Sequence, residues 1–336
     1  MGRFTLTIAT GAVCALACAT VATGAPVADG FPEPAVTTTY PTSSPPSLVR
    51  YAYGAAWTGT ESGSLVRITP GGAATKTVRL PGTLVDVTEG YGRIWVLWRK
   101  GARSYVTPVN PRSARIIGRA TRTRVPGRPA RIRAGAGALW VAALGNKVTA
   151  RGGLTRVDPK RLRVSTRRWL TPTDFFVERG LIWSFNGFKL VARRPGDLRV
   201  RHRVSAFSGF GGVTYGLGEF WTSSTGPTGN GGVTEIQPTR GRGQVLAFPT
   251  DYDINAGGPI TTGAGSVWST FQVAPSEVSP AGASAWGLVG YEPSGTQEGF
   301  VGLPVDGTPD VAFGGGSFWV TDPGGQRVLQ IAPPAS

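Results

Sequence analysis

Cysteine, histidine and methionine are nearly missing from this chain of 336 residues, which has two Cys, one His and one Met. Both cysteines, Cys14 and Cys18, stand close to the N-terminus. The remainder therefore has no disulfide framework, no thiolate nucleophile and no cysteine-bound zinc. A single histidine, His202, leaves any Ser/His/Asp relay dependent on one position and allows no histidine dyad. Acids are scarce as well, 19 against 35 Lys and Arg, for a formal net charge of +16. Neither the phosphate-loop pattern G-x-x-x-x-G-K-[ST] nor the nucleophile elbow G-x-S-x-G occurs. Past residue 25 no long stretch carries helical apolar periodicity.

What the chain does have is a repeat. Trp57, Trp95, Trp140, Trp183, Trp221, Trp268 and Trp319 follow one another at intervals of 38 to 51 residues. Each has a glycine three residues earlier: Gly54, Gly92, Gly137, Gly180, Gly218, Gly265 and Gly316. Each has a proline a dozen or more residues later, from Pro70 to Pro333. The glycine suits a tight hairpin with φ > 0, and the proline stops a strand because it has no N–H for the ladder. An apolar residue precedes every tryptophan: Ala56, Ile94, Leu139, Ile182, Phe220, Val267 and Phe318. Period-2 segments rich in Val, Ile, Thr and aromatics fill the intervals. This period belongs to four-stranded blades, so the expected fold is an all-β, seven-bladed β-propeller over residues 48–336.

The seventh blade ends after its third strand. The segment 35–42, AVTTTYPT, has strand composition and no place in the first blade. It is expected to supply the missing outer strand, so that the ring closes through both termini and no sheet edge stays open. Ahead of it, residues 1–24 read as a secretory signal, with Arg3 before an apolar run from Leu6 to Val21. Two cleavage readings stand. Ala15-Leu16-Ala17-Cys18 resembles a bacterial lipobox, which would leave Cys18 lipidated. Ala22-Thr23-Gly24 satisfies small-x-small cleavage and would release a soluble protein. Residues 25–47, Pro- and Thr-rich, read as a tether that contains the closing strand. The expected location is extracellular or in the cell envelope.

Charge is distributed unevenly. Between Arg93 and Arg203 there are 27 Lys and Arg against four acids, whereas the rest of the chain has eight against 15. Arg161, Arg163, Arg167, Arg168, Arg193, Arg194, Arg199, Arg201 and Arg203 fall on outer turns and strands of the third and fourth blades. A rim of this kind attracts polyanions such as nucleic acid, an anionic membrane surface or an anionic envelope polymer. A plain solvated surface with arginine in place of lysine accounts for the same composition.

Two features point to the channel instead. The connections between second and third strands vary most in length, with long ones at Ser223 to Gly232 and Phe271 to Ala285, the latter ending at Trp286. Trp286 reads either as a binding platform or as a packed loop anchor. Nine residues before the repeat tryptophan stand Asp86, Asp174 and Asp310, with Arg131 at that position in the third blade. This position starts the innermost strand and should face the channel mouth. Converging carboxylates there would suit a hard divalent cation; alternatively they cap strand ends or pair with arginines, as Asp174 would with Arg131.

The glycine–tryptophan hairpin and the strand ending in x-Pro, with RVDP at 156–159 as the clearest copy, resemble the streptogramin-lyase-like and YVTN-type propeller superfamily. The resemblance implies the fold over most of the chain. Its lyases need a histidine general base and a Mg²⁺ site of acidic side chains, and here His202 lies within RVRHRV on an expected outer strand. The lyase residues therefore do not carry over. The loose aspartate ring is similar to gluconolactonase-like propellers. The expectation is an exported, monomeric, non-catalytic module without a cofactor that binds a protein or an anionic polymer. The alternative is a divalent-metal-dependent lyase or lactone hydrolase with its site at the channel mouth.

Overall fold

The computed structural model describes residues 33–334 except 73–74, 119–120, 124–127, 145–150, 171–173, 186–188, 206–211, 225–231, 238–241, 248–253 and 274–284. The described residues form seven antiparallel sheets and no helix. Six sheets come from consecutive chain segments, and each runs from an innermost strand to an outermost one in sequence order. In the first blade these strands are Pro46–Ala52, Ala55–Thr60, Ser64–Ile68 and Thr75–Arg79. The second blade splits its outer edge between two short strands, Arg115–Ile116 and Thr121–Thr123.

The glycine–tryptophan spacing has a single local cause. In all seven blades the innermost strand turns into the second through a two-residue hairpin with φ > 0 at both positions, the type I′ geometry whose twist matches paired strands. Tyr53 and Gly54, at φ 52° and 71°, form the first of these. The tryptophan then stands where its indole N–H reaches back across the hairpin. It donates to the carbonyl of the residue five positions earlier in every blade, from Trp57 to Ala52 at 3.2 Å through Trp319 to Gly314 at 3.0 Å. An unmet buried indole N–H would oppose folding by about 1–3 kcal/mol, so the motif ties turn chemistry to a satisfied core.

The same tryptophans join neighbouring blades. Trp57 shares a core cluster with Ile94, Trp95 with Leu139, and Trp140 with Ile182. Trp183 packs with Phe220, Trp221 with Val267, Trp268 with Phe318, and Trp319 with Ala56. In each pair the partner is the apolar residue preceding the next blade's tryptophan, so one sequence position makes all seven seams. Nearer the axis the blades meet through glycine. A Cβ on Gly263 would come within 2.0 Å of Phe313, and one on Gly314 within 1.9 Å of Tyr51.

The ring closes as the sequence predicts. Val36–Pro41 pairs antiparallel with Arg327–Ile331 and becomes the outer strand of the seventh blade. Tyr40 is buried there, donates its hydroxyl to Gln330 at 3.0 Å and packs 5.7 Å from Trp319.

Candidate binding site in the central channel

Innermost strands from all seven blades enclose a channel of about 650 Å³. The hairpins joining first to second and third to fourth strands lie on one face, here the turn face. The remaining connections lie on the other, the loop face. Each innermost strand begins at the loop face. In the first three blades it bulges one residue before the position that the sequence singles out, between Pro46 and Leu48, Leu84 and Asp86, and Pro129 and Arg131. A bulge re-aims the side chain that follows it. Arg131 lines the channel after its bulge, whereas Asp86, expected there too, is not part of the channel surface. It lies in the seam between the second and third blades, 1% exposed.

There its carboxylate is fully engaged. Oδ2 accepts the Ile132 amide at 2.9 Å and Arg133 Nη1 at 2.7 Å, while Oδ1 accepts the Val87 amide at 2.9 Å. Burial works against the charge on Asp86 most strongly. Arg133, Arg50 and Arg131, together with the Ile132 amide, outweigh it and hold the carboxyl below the usual carboxylate range. Asp310 repeats the arrangement between the seventh and first blades, accepting the Val49 amide and Arg50 Nη1, each at 2.9 Å. Arg50 also stands 3.8 Å from Asp86. Its own burial opposes the guanidinium charge, but Asp310 and Asp86 more than offset this and raise its pKa. Asp310, Arg50, Asp86 and Arg133 thus form one alternating arc of charge over four consecutive blades, with Arg131 exposed at the mouth beside it.

The facing wall is uncharged. The fifth and sixth blades contribute Gly212 to Tyr215 and Gly257 to Thr261. Ser223 fixes this wall by donating to the Gly258 carbonyl and accepting the Gly212 amide. Glu89 and Glu178 line the channel toward the turn face. Burial, then the negative charge of Glu89, pushes the Glu178 carboxyl above its ordinary value. Among the described residues no three His, Cys, Asp or Glu side chains are grouped to hold a metal ion.

The other singled-out residues fall as follows. Trp286 is 6% exposed on Ala285–Tyr291, packed with Leu303 and Leu288 in the core and presenting an edge to the channel. The side chain of Asp174 lies outside the described residues, as do those of Arg167 and Arg168 and the centres of both long loops. Arg161, Arg163, Arg199, Arg201 and Arg203 are exposed, while Arg193 and Arg194 are partly covered. His202 is exposed on the outer strand Val200–Ser205 and stacks 6.3 Å from Trp183, away from the channel lining. Sequence reading missed Arg50 and Arg133. Both stand seven residues before their tryptophans, each in the blade that follows one with an aspartate nine residues before its own.

No family model and no curated protein sequence matches the chain. Solved structures do. The chain is similar to BamB from Moraxella catarrhalis, with TM-score 0.50 and 14% identity over 83% of this chain and 82% of that one. It is similar to YCF48 bound to a D1 peptide, with TM-score 0.60 and 13% identity over 94% of this chain and 99% of that one. At such identities the likeness establishes the fold. The superfamily resemblance read from the repeat therefore holds as far as a seven-bladed propeller.

Proposed function

We propose that this protein is an exported, non-catalytic binding module that takes an extended segment of a protein partner at the loop face, over the channel mouth. One observation carries the reading: a channel of about 650 Å³ with a fixed charged arc on one side and a glycine- and threonine-rich wall on the other. An arginine already held by aspartates, such as Arg50, loses little freedom when a ligand arrives, and guanidinium chemistry suits main-chain carbonyls or a carboxylate. The YCF48 propeller, similar in fold, was solved with a peptide.

The test is selection of linear peptides from a random display library on the purified ring. Enriched peptides should lose about tenfold or more in affinity on Thr261→Trp, which fills the channel, and on Arg131→Glu, which reverses charge at the mouth. They should keep it on Arg201→Glu/Arg203→Glu. Absence of enrichment, or peptides indifferent to the filled channel, defeats the proposal.

The exposed Arg161, Arg163, Arg199, Arg201 and Arg203 favour a second reading, a rim that holds an anionic envelope polymer or nucleic acid. Its mark is retention that falls with salt and with neutralisation of those arginines. The metal-dependent lyase or lactonase alternative predicts heat on titrating Ca²⁺ or Mg²⁺ into the protein, diminished in Asp86→Ala and Asp310→Ala.

A further inference from the structure

Among the described residues the large hydrophobic side chains left exposed are Val36, Tyr53, Tyr91, Ile116 and Leu217. All five lie on the turn face. Tyr53, Tyr91 and Leu217 are first residues of the inner hairpins in blades 1, 2 and 5. Ile116 pairs with Val109 beside the outer turn of blade 2, and Val36 pairs with Ile331 where the closing strand begins. The three hairpin tips have φ of 52°, 54° and 55°, a region where glycine or asparagine is the ordinary occupant. Tyr91 donates its hydroxyl to the Ala138 carbonyl of the next blade at 3.1 Å and so is partly engaged in the seam, whereas at Tyr53 and Leu217 backbone strain and exposure both disfavour a bulky side chain.

Cations share this face. Arg112, Arg115, Lys160, Arg161, Arg179 and Arg199 are exposed on turns of blades 2 to 4. The acids of the same outer turns are taken up locally. Asp158 caps the amides of Lys160 and Arg161 at 2.8 Å each, and Asp197 pairs with Arg194 and Arg199. The apolar tips stand apart around the ring, on blades 1, 2, 5 and 7, so they do not merge into one patch of the kind a protein partner would cover. Single tyrosines and aliphatic tips around a face that is cationic over blades 2 to 4 match a bilayer interface, where each tip enters the headgroup layer independently and arginines meet anionic lipid. The described chain also enters the ring at this face, at Val36.

We propose that the turn face is a peripheral docking surface for an anionic lipid bilayer, which directs the channel mouth away from the membrane. The proposal is independent of what the channel binds.

Every strand among the described residues lies within Val36–Ile331, so residues 25–336 serve as the test protein, free of the apolar N-terminal segment that would partition by itself. Its binding is measured by sedimentation with phosphatidylcholine vesicles and with phosphatidylcholine–phosphatidylglycerol vesicles. Binding should require phosphatidylglycerol and fall as salt rises. Arg112→Glu/Lys160→Glu/Arg161→Glu should weaken it by about fivefold or more per altered cation. Tyr53→Asn/Leu217→Asn should weaken it several-fold while the melting temperature holds or rises, because asparagine suits the turn. No binding at low salt overturns the proposal. So does binding that responds to the charge reversals but not to the tip variants and is competed fully by a DNA oligonucleotide, since that is polyanion recognition.

Discussion

Asp86→Ala is the sharpest test of how the blades are held together. The substitution strands the Arg133 guanidinium, 18% exposed, and the buried Ile132 amide, and leaves Arg50 with one carboxylate in place of two. Breaking a buried ion pair from one side costs about 3–5 kcal/mol. Water still reaches Arg133, so the lower end, about 3 kcal/mol, is expected. For a domain of about 300 residues that lowers the melting temperature by roughly 4–6 °C. Urea unfolding followed by tryptophan fluorescence gives the free energy directly. Asp86→Ala/Arg133→Ala should recover at least 1 kcal/mol relative to the sum of the single changes, because the cation left behind is gone. Asp310→Ala should cost less, since Asp310 is 18% exposed. A loss below about 1 kcal/mol in Asp86→Ala, or strict additivity in the cycle, would refute the clamp. Because the folded-state pKa of Asp86 is depressed, its contribution is complete above the unfolded value near 4 and disappears as pH falls through the lower folded value. Wild type and Asp86→Asn should therefore converge in stability on acidification.

Other perturbations have equally definite outcomes. Glu178→Gln should stabilise the ring at neutral pH. Its carboxyl titrates above the unfolded value, so its ionisation opposes folding as pH rises through that window, and the variant should flatten the pH dependence there. Gly263→Ala places a Cβ 2.0 Å from Phe313 and should cost roughly 1–3 kcal/mol in urea unfolding, whereas Tyr53→Asn alone should cost nothing. Removal of residues 33–42 strips the closing strand and exposes the Arg327–Ile331 edge. The product should sediment as larger species than the intact chain does at the same concentration.

The blade number, the blade boundaries and the ring closure were legible because one motif does several jobs within a few residues. The glycine opens the hairpin and the indole satisfies its carbonyl, while the preceding apolar residue packs on the neighbouring tryptophan. Such local constraints recur with the period and survive insertions elsewhere. The charged arc was half legible. The aspartates at positions 86 and 310 stood out by register, yet that each turns onto the next blade's amide and arginine is not announced by residue type. Their partners were hidden for another reason. Arg133 lies 47 residues from Asp86 and Arg50 lies 260 from Asp310, within a sequence where arginine is common. The meaning of each is visible only when adjacent blades are aligned pairwise, aspartate of one against arginine of the next. The hairpin tips escaped notice too, since an exposed tyrosine becomes informative only once its backbone is known to be left-handed.

The latch between residues 36–41 and 327–331 also sets an order of events. Residues 36–41 have no ladder partner until residues 327–331 have been delivered, and Tyr40 must wait for Gln330, 290 positions later. Contacts so distant in sequence are slow to form. Six blades can assemble as they emerge, but the wheel stays sprung open until its tail arrives. Any helper that shields the waiting segment would act during this interval, and a stop codon ahead of residue 327 would release a molecule with a loose seam.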